Sequence, residues 1–399
     1  MLTYLTAGES HGPQLTAVID GFPAGFHVDI ESINRQLARR QKGYGRGGRM
    51  KIEQDKVEVV SGIRGGYTMG GPITFVIHNK DWKNWSDIMH PLNPISKDLP
   101  PKKKSLAFAT TRPRPGHADL AGAIKYNHYD LRNVLERASA RETAARVTLG
   151  ALARQLLAHF NVEFASHVVQ IGSVRLPDGY NLSNLKSIIE LSENSEVRCI
   201  DRKTEQGMIE AIKLAKKKRD SLGGVVEVMV RGLPVGLGSF SQWHRRLDGR
   251  LAAALMAIPS VKGVEIGLGF AASSKTGSEV HDEISYDPHG DPAKKKFYRK
   301  TNNAGGIEGG ITNGEDIVLR VVGKPISTLN QPLKTIDVKT KQPAEAIVER
   351  TDNCVIPALA VICENVAALV LADAFLEKFG ADNLVEIERN YKAFLNTEY

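Results

Sequence analysis

Two short loops carry the residues best suited to proton chemistry: Ser10 and His11 in GESHG at 8–12, and His117 in RPGHAD at 114–119. Histidine is the side chain that most readily donates a proton near neutral pH. Other polar loops are rich in arginine. They hold Arg40, Arg46 and Arg49 in RRQKGYGRGGRM at 39–50, Arg114 beside His117, and Arg350 with Asp352 in VERTDNC at 348–354. A guanidinium grips phosphate or carboxylate through a bidentate fork, so the pattern predicts an anion site. Arg137 and Arg141 stand in VLERASARETAARV at 134–147, where Ser139 and Glu142 have the S-x-x-E spacing of a capping box. That spacing predicts a helix start whose unpaired N–H groups add to the pull on an anion.

These loops need a frame, and hydrophobic periodicity supplies one. Residues 2–7 and 15–19 read as strands, 30–40 as a helix capped by Asp29, and 57–63 and 73–78 as two further strands. The pattern returns later in the chain. GFPAG at 21–25 is answered by GLPVG at 232–236, the helix by Leu247–Ile258, and VEVVSGI at 57 by VEIGLGF at 264. Gly65, Gly66, Gly70 and Gly71 are answered by Gly305, Gly306, Gly309 and Gly310 before a last strand at 316–322. A strand-helix-strand-strand unit repeated over about 15–78 and 225–322 predicts one 399-residue α+β domain. In it two similar layers bury their apolar faces against helices between them.

Between the copies, Ala145, Leu149, Leu152, Leu156 and Phe160 fall at helical spacing. An extended stretch at 162–176 follows, then a helix near 205–218. Residues 357–380 form an apolar helix with a proline start and a glycine stop, and 383–399 a surface helix. The loop 79–115 is too long for an idle connection and holds Trp82 and Trp85, so parts of it are expected to pack or to act as a lid.

Composition narrows the class. With 42% hydrophobic and 25% charged residues the chain is ordinary and globular, and its +8 charge suits an anionic partner. Only 6% of residues are aromatic, which argues against the stacking platforms of a nucleic-acid binder, the main rival reading. Cys199, Cys354 and Cys363 make no disulfide framework or metal spacing, and the N-terminus lacks a signal-peptide pattern. Both fit a cytoplasmic protein, and the charges inside 355–376 argue against a membrane span. GYGRGG at 43–48 follows a helix rather than the strand a dinucleotide fingerprint requires, and GFAASSKT at 269–276 has Ser274 where a P-loop needs glycine.

Taken together, GESHG, RRQKGYGRGGRM, RPGHAD, ERASARETAARV at 136–147, NNAGGIEGG at 302–310, KPI at 324–326 and ERTDNC at 349–354 resemble the chorismate synthase family, in the family's order. The resemblance implies antiparallel sheets around helices and a homotetramer. It implies 1,4-elimination of phosphate from 5-enolpyruvylshikimate 3-phosphate, with reduced FMN required although no net oxidation occurs. Within the family's vocabulary of FMN, FAD and NADP, NADPH is the candidate reductant. No reductase-like domain is evident here, so an external flavin reductase is expected.

Residue by residue, the resemblance makes His11 the proton donor to the departing phosphate, and His117 the partner of the reduced flavin. Asp352 with Ser10 would assist proton removal. Arg137, Ala138, Ser139, Pro259, Ser260, Gly309, Lys324, Pro325, Ile326, Ser327, Thr328 and Arg350 match flavin positions. Arg40 and Arg46 match nicotinamide-phosphate positions, while Arg49, Arg114 and Arg141 match substrate contacts, with no metal. Pro259 and Ser260 stand where Gln-Ala or Asn-Ala is usual, and 284–299 is longer than is common in the family.

Overall fold

A computed structural model describes residues 2–47, 54–95, 99, 103, 108–177, 179–180, 184–349 and 352–399. Arg49 and Arg350 lie outside the described residues. The first sheet holds β1 (Thr3–Ala7), β2 (Gln14–Asp20), β3 (Glu58–Ser61) and β6 (Ile73–His78) in the order β1-β2-β6-β3, antiparallel throughout. A small hairpin, β4 (Ile63–Arg64) with β5 (Tyr67–Thr68), precedes β6. The second sheet runs β10-β15-β9-β7-β8, also antiparallel. Its strands are β7 (Glu163–Ile171), β8 (Val174–Arg175), β9 (Gly224–Arg231), β10 (Val261–Ile266) and β15 (Ile317–Gly323). Between β10 and β15 lie two hairpins, β11 (Ile284–Tyr286) with β12 (Phe297–Arg299), and β13 (Ile307–Glu308) with β14 (Ile311–Thr312). The first of these occupies the long 284–299 segment, and its Lys295 ammonium donates to the Thr397 carbonyl at 2.8 Å, docking the C-terminal tail.

The helices include α1 (Ile30–Gln41), α2 (Trp82–Met89), α3 (Asp119–Tyr126), α4 (Arg132–Leu135), α5 (Thr143–His159), α6 (Leu185–Glu193), α7 (Arg202–Lys217), α8 (Leu247–Met256), α9 (Ile356–Phe379) and α10 (Leu384–Asn396). Asp29, as expected, caps α1 by accepting from the Ser32 amide at 3.0 Å. α5 packs on β2 and β6, α9 packs on β7, β9 and β15, and the two helices pack on each other. The result is a sandwich of two antiparallel sheets around central helices, the α+β fold expected from the sequence.

Both strand-helix-strand-strand units place their strands alike, β2-β6-β3 in one sheet and β9-β15-β10 in the other. Their corners match bond for bond. The Thr68 carbonyl accepts from the Gly25 amide at 2.9 Å, and its hydroxyl accepts from the Phe26 amide at 2.9 Å. Thr312 does the same with Gly236 and Leu237, each at 2.9 Å. Gly25 and Gly236 sit at φ +80 and +93, a region costly for a residue with a Cβ.

Burial explains α9, whose mean hydropathy of 2.0 would suffice for a membrane span. Its apolar surface is covered on every side, and its Glu364 pairs with Arg39 at 2.8 Å and Arg154 at 3.4 Å. At Gly150 the helix α5 comes so near that a Cβ would lie 2.1 Å from the Asn365 carbonyl oxygen, so only glycine allows this crossing.

One local expectation needs correction. Residues 140–142 form a turn of 3-10 helix before α5; the Ser139 hydroxyl accepts from the Arg141 amide at 3.3 Å, and the Glu142 amide donates to the Ser139 carbonyl at 3.2 Å instead of to the hydroxyl. The Glu142 carboxylate turns forward to Arg146 at 3.0 Å instead of back to the cap. The capping box is not closed, because the Ser139 hydroxyl also bonds Ser10 and the Glu142 carboxylate is taken by Arg146 one turn on.

Candidate functional site

A cavity of about 630 Å³ opens where the loops of both halves meet the start of α9. The first half contributes Ser10 and His11 from the β1–β2 loop, and Arg40, Arg46 and Gly47 from the end of α1 and the loop beyond. The second half contributes Pro259 and Ser260 after α8, a position matching the end of α1, and Lys324 to Thr328 after β15. The connecting segments add Trp85, Arg114, His117, Ala138, Ser139 and Arg141, and Val355, Ala358, Leu359 and Ile362 form an apolar wall. Glu349 and Asp352 complete the rim.

Both histidines of the sequence analysis therefore reach one cavity, and each is bound to a carboxylate. The Nδ1 of His117 lies 2.6 Å from Asp119 Oδ1. Asp119 also accepts from the Arg114 amide at 3.1 Å, from Arg114 Nε at 2.8 Å and from Nη2 at 3.0 Å. Burial alone would raise the Asp119 pKa, but hydrogen bonds from His117 and Arg114 outweigh it and hold the carboxyl well below the usual range.

The Nδ1 of His11 lies 2.9 Å from Glu136 Oε1, and its backbone amide donates to Oε2 at 2.8 Å. Arg132 donates to the same carboxylate at 3.0 Å. Burial pushes Glu136 up, while His11 and then Arg132 pull it down further, so it too remains ionised. The His11 ring stacks on Trp85 with centroids 4.0 Å apart, and the Arg132 guanidinium lies 5.0 Å from the Trp85 ring centre.

Positive charge is in excess along one wall. Arg141 donates to Asp55 at 2.6 and 2.7 Å and to Asn79 at 2.8 and 3.0 Å, and Arg40 lies 3.5 Å from the same Asp55. Arg46 pairs with Asp352 at 3.2 Å, and the Gly47 amide donates to that carboxylate as well. Among the described residues, three guanidiniums thus share two carboxylates. Burial, then the neighbouring Arg141 and Arg46, pull the Arg40 pKa down to about 9 against the opposing pull of Asp55. Lys324 donates to the Gly116 carbonyl at 2.6 Å and to Ser327 Oγ at 2.8 Å, and has no carboxylate partner among the described residues. Burial, and then Lys262, lower its pKa. Such a wall attracts an anion.

Ser10 is buried and accepts from the Ser139 hydroxyl at 3.2 Å. Two described residues expected at the site are not brought into it. Arg137 donates to the Gly8 carbonyl at 3.2 Å and the Thr6 carbonyl at 2.7 Å, pinning the end of β1. Gly309 forms the β13–β14 turn at φ +59, away from the cavity lining. Sequence reasoning gave no role to Glu136, Arg132, Asp55 or Asn79. A weak signal existed for the first, since Arg132 and Glu136 have i,i+4 spacing. Trp85 was marked only by the oddity of a tryptophan in a long polar loop, and it packs there with Ile88 and Leu99.

Comparisons with known proteins agree with one another. The family model described as chorismate synthase matches residues 2–376. A chorismate synthase of Alkaliphilus metalliredigens is 54% identical over 394 residues, covering 99% of each chain. Another, from Geobacter sulfurreducens, is 54% identical over 399 residues, covering 99% of this chain and 98% of its own. A crystal structure of chorismate synthase superposes with a TM-score of 0.78 at 40% identity, covering 99% of this chain and 97% of that one. Nothing in these matches supports the nucleic-acid reading.

Proposed function

The chain belongs to the chorismate synthase family and is a lyase that eliminates phosphate from 5-enolpyruvylshikimate 3-phosphate to give chorismate; from that premise we propose how its residues do so. The observation that carries the proposal is one cavity in which two histidines, each held at Nδ1 by a buried carboxylate, face a wall with surplus guanidinium charge. The substrate is a multiply charged anion that releases phosphate, and a fixed cationic wall stabilises both its binding and the charge that develops as it leaves.

Arg40, Arg46, Arg114 and Arg141 with Lys324 supply that field. A carboxylate accepting at Nδ1 leaves proton exchange to Nε2, so His11 donates a proton from Nε2 to the departing phosphate. His117, held in the same way, keeps a proton beside the cofactor. Asp352 and Ser10 assist removal of the ring hydrogen.

Members of this family use a flavin, and the residues fit one. Ala358, Leu359 and Ile362 with Pro259, Pro325 and Ile326 offer an apolar surface for a flat ring, while Lys324, Ser327 and Thr328 offer a cation and hydroxyls for a phosphate tail. Reduced FMN, when bound, would supply the transient electron density that the elimination needs. Ala138, Ser139, Pro259, Ser260 and Lys324 to Thr328 would hold it. Ser260 adopts φ +75 and its carbonyl accepts from the Lys324 amide at 2.9 Å, which shapes this corner through the backbone. NADPH would reduce the flavin on an external reductase.

We read the whole chain as one domain with a duplicated core, working as a cytoplasmic homotetramer. The three buried, unbridged cysteines suit a reducing compartment. The test is anaerobic mixing of protein, chemically reduced FMN and 5-enolpyruvylshikimate 3-phosphate. Equal release of chorismate and phosphate, absent without reduced flavin, is expected. Net substrate oxidation, or no product from folded, flavin-binding protein, would overturn the reading.

A further inference from the structure

We propose that Glu136 is the positioning residue of His11, and that Trp85 and Arg132 complete a clamp holding that imidazole in its proton-donating form. The inference rests on the proton-donor reading of His11. Glu136 does not line the cavity; its carboxylate is 1% exposed and acts through the histidine.

The contacts around Glu136 specify its role. One carboxylate oxygen receives the His11 amide at 2.8 Å, and the other lies 2.9 Å from His11 Nδ1 while accepting from Arg132 at 3.0 Å. The Glu136 carbonyl also accepts from the Ser10 amide at 3.0 Å, so backbone and ring of the Ser10–His11 turn are fixed by one residue. An ionised carboxylate only accepts hydrogen bonds, so Nδ1 must carry a proton. The acid form is then the imidazolium. It releases the Nε2 proton to a phosphate oxygen, becomes the neutral Nδ1–H ring, and regains a proton from solvent before the next turnover. Rotation of the ring would spoil the transfer. Trp85, stacked at 4.0 Å, opposes that rotation, and Arg132 lies beside Trp85 while donating to Glu136 and to Glu349 at 3.3 Å.

A glutamine at 136 would keep the shape and one acceptor while placing an amide donor among Arg132 and two His11 N–H groups. The neutral ring is then driven toward the Nε2–H tautomer. Nitrogen NMR of histidine-labelled wild-type protein should show His11 protonated at Nδ1, and Glu136→Gln should lose that signature. Turnover of Glu136→Gln is expected to fall roughly tenfold to a hundredfold, at or below the low end of general-acid contributions because the donor itself is retained, with KM changed less than about threefold. The same substitution added to His11→Ala should cost less than about twofold more.

A wild-type His11 found in the neutral Nε2–H form overturns the proposal without any variant having to fold. So does a Glu136→Gln enzyme with unchanged tautomer and near-normal kcat. Failure of the wider reading looks different, because His11→Ala would then keep its turnover.

Discussion

His117 takes its carboxylate from Asp119, two residues along the chain, whereas His11 takes its carboxylate from Glu136, 125 residues away. The two pairs are chemically alike, and their surroundings differ. Asp119 spends most of its capacity on Arg114, whose Nη1 donates to Thr328 Oγ1 at 2.8 Å and so ties the His117 loop to the segment after β15. Glu136 spends its capacity on orienting His11, with an aromatic ring stacked against the imidazole. No ring stacks on His117 among the described residues. The local pair therefore joins two walls of the cavity, and the distant pair fixes one imidazole ring in place.

Substitutions can separate those tasks. His11→Ala and His117→Ala are each expected to lower turnover about a hundredfold, with melting temperatures close to wild type. Near-normal turnover in either, measured with saturating reduced FMN, removes that histidine from the chemistry and breaks the symmetry of the comparison.

Asp119→Asn should act on the fold. It leaves buried Arg114 without its carboxylate, and the expected loss is about 3 kcal/mol in chemical denaturation. The pH dependence follows from its lowered carboxyl pKa. Stability from such a group is complete above the unfolded carboxylate value near ~4, and is lost as pH falls through the lower folded value. The gap in melting temperature between wild type and Asp119→Asn should therefore be widest near neutrality and shrink on acidification; a gap that widens in acid would contradict this account.

Thr328→Val is the smallest change. It removes one hydrogen bond to Arg114, worth about 1 kcal/mol, and should weaken FMN binding severalfold by flavin fluorescence titration while leaving saturated turnover nearly intact. Equal FMN affinity would show that the tie between the two walls has no part in holding the cofactor.

Much of the frame was legible in the sequence. The Asp29 cap, the paired strand-helix-strand-strand units and the apolar α9 all express local rules: capping, alternation and helical spacing. α3 and α6 escaped notice. The first is eight residues with an internal Gly122, and the second is nine residues beside a polar stretch, both too short to establish a period. The 3-10 turn at Ala140–Glu142 was read as a closed capping box because spacing records what two side chains can do together, not which other partners will claim them.

The sequence by itself determined the types of the longer, strongly periodic elements and the loops that carry His11, His117 and the arginines, since each depends on neighbours within a few turns of chain. It set His117 and Asp119 two positions apart in RPGHAD, but their bond is a finding of the structure. Only the tertiary structure decided that Asp55 would hold Arg141 from 86 residues away, that Glu136 would hold His11 from 125, and that Arg137 and Gly309 would lie outside the cavity. Those outcomes depend on how α5 and α9 seat between two sheets, at a crossing as close as Gly150 and Asn365 allow. Periodicity states which face of an element is buried; it does not state what another element will bring to meet it.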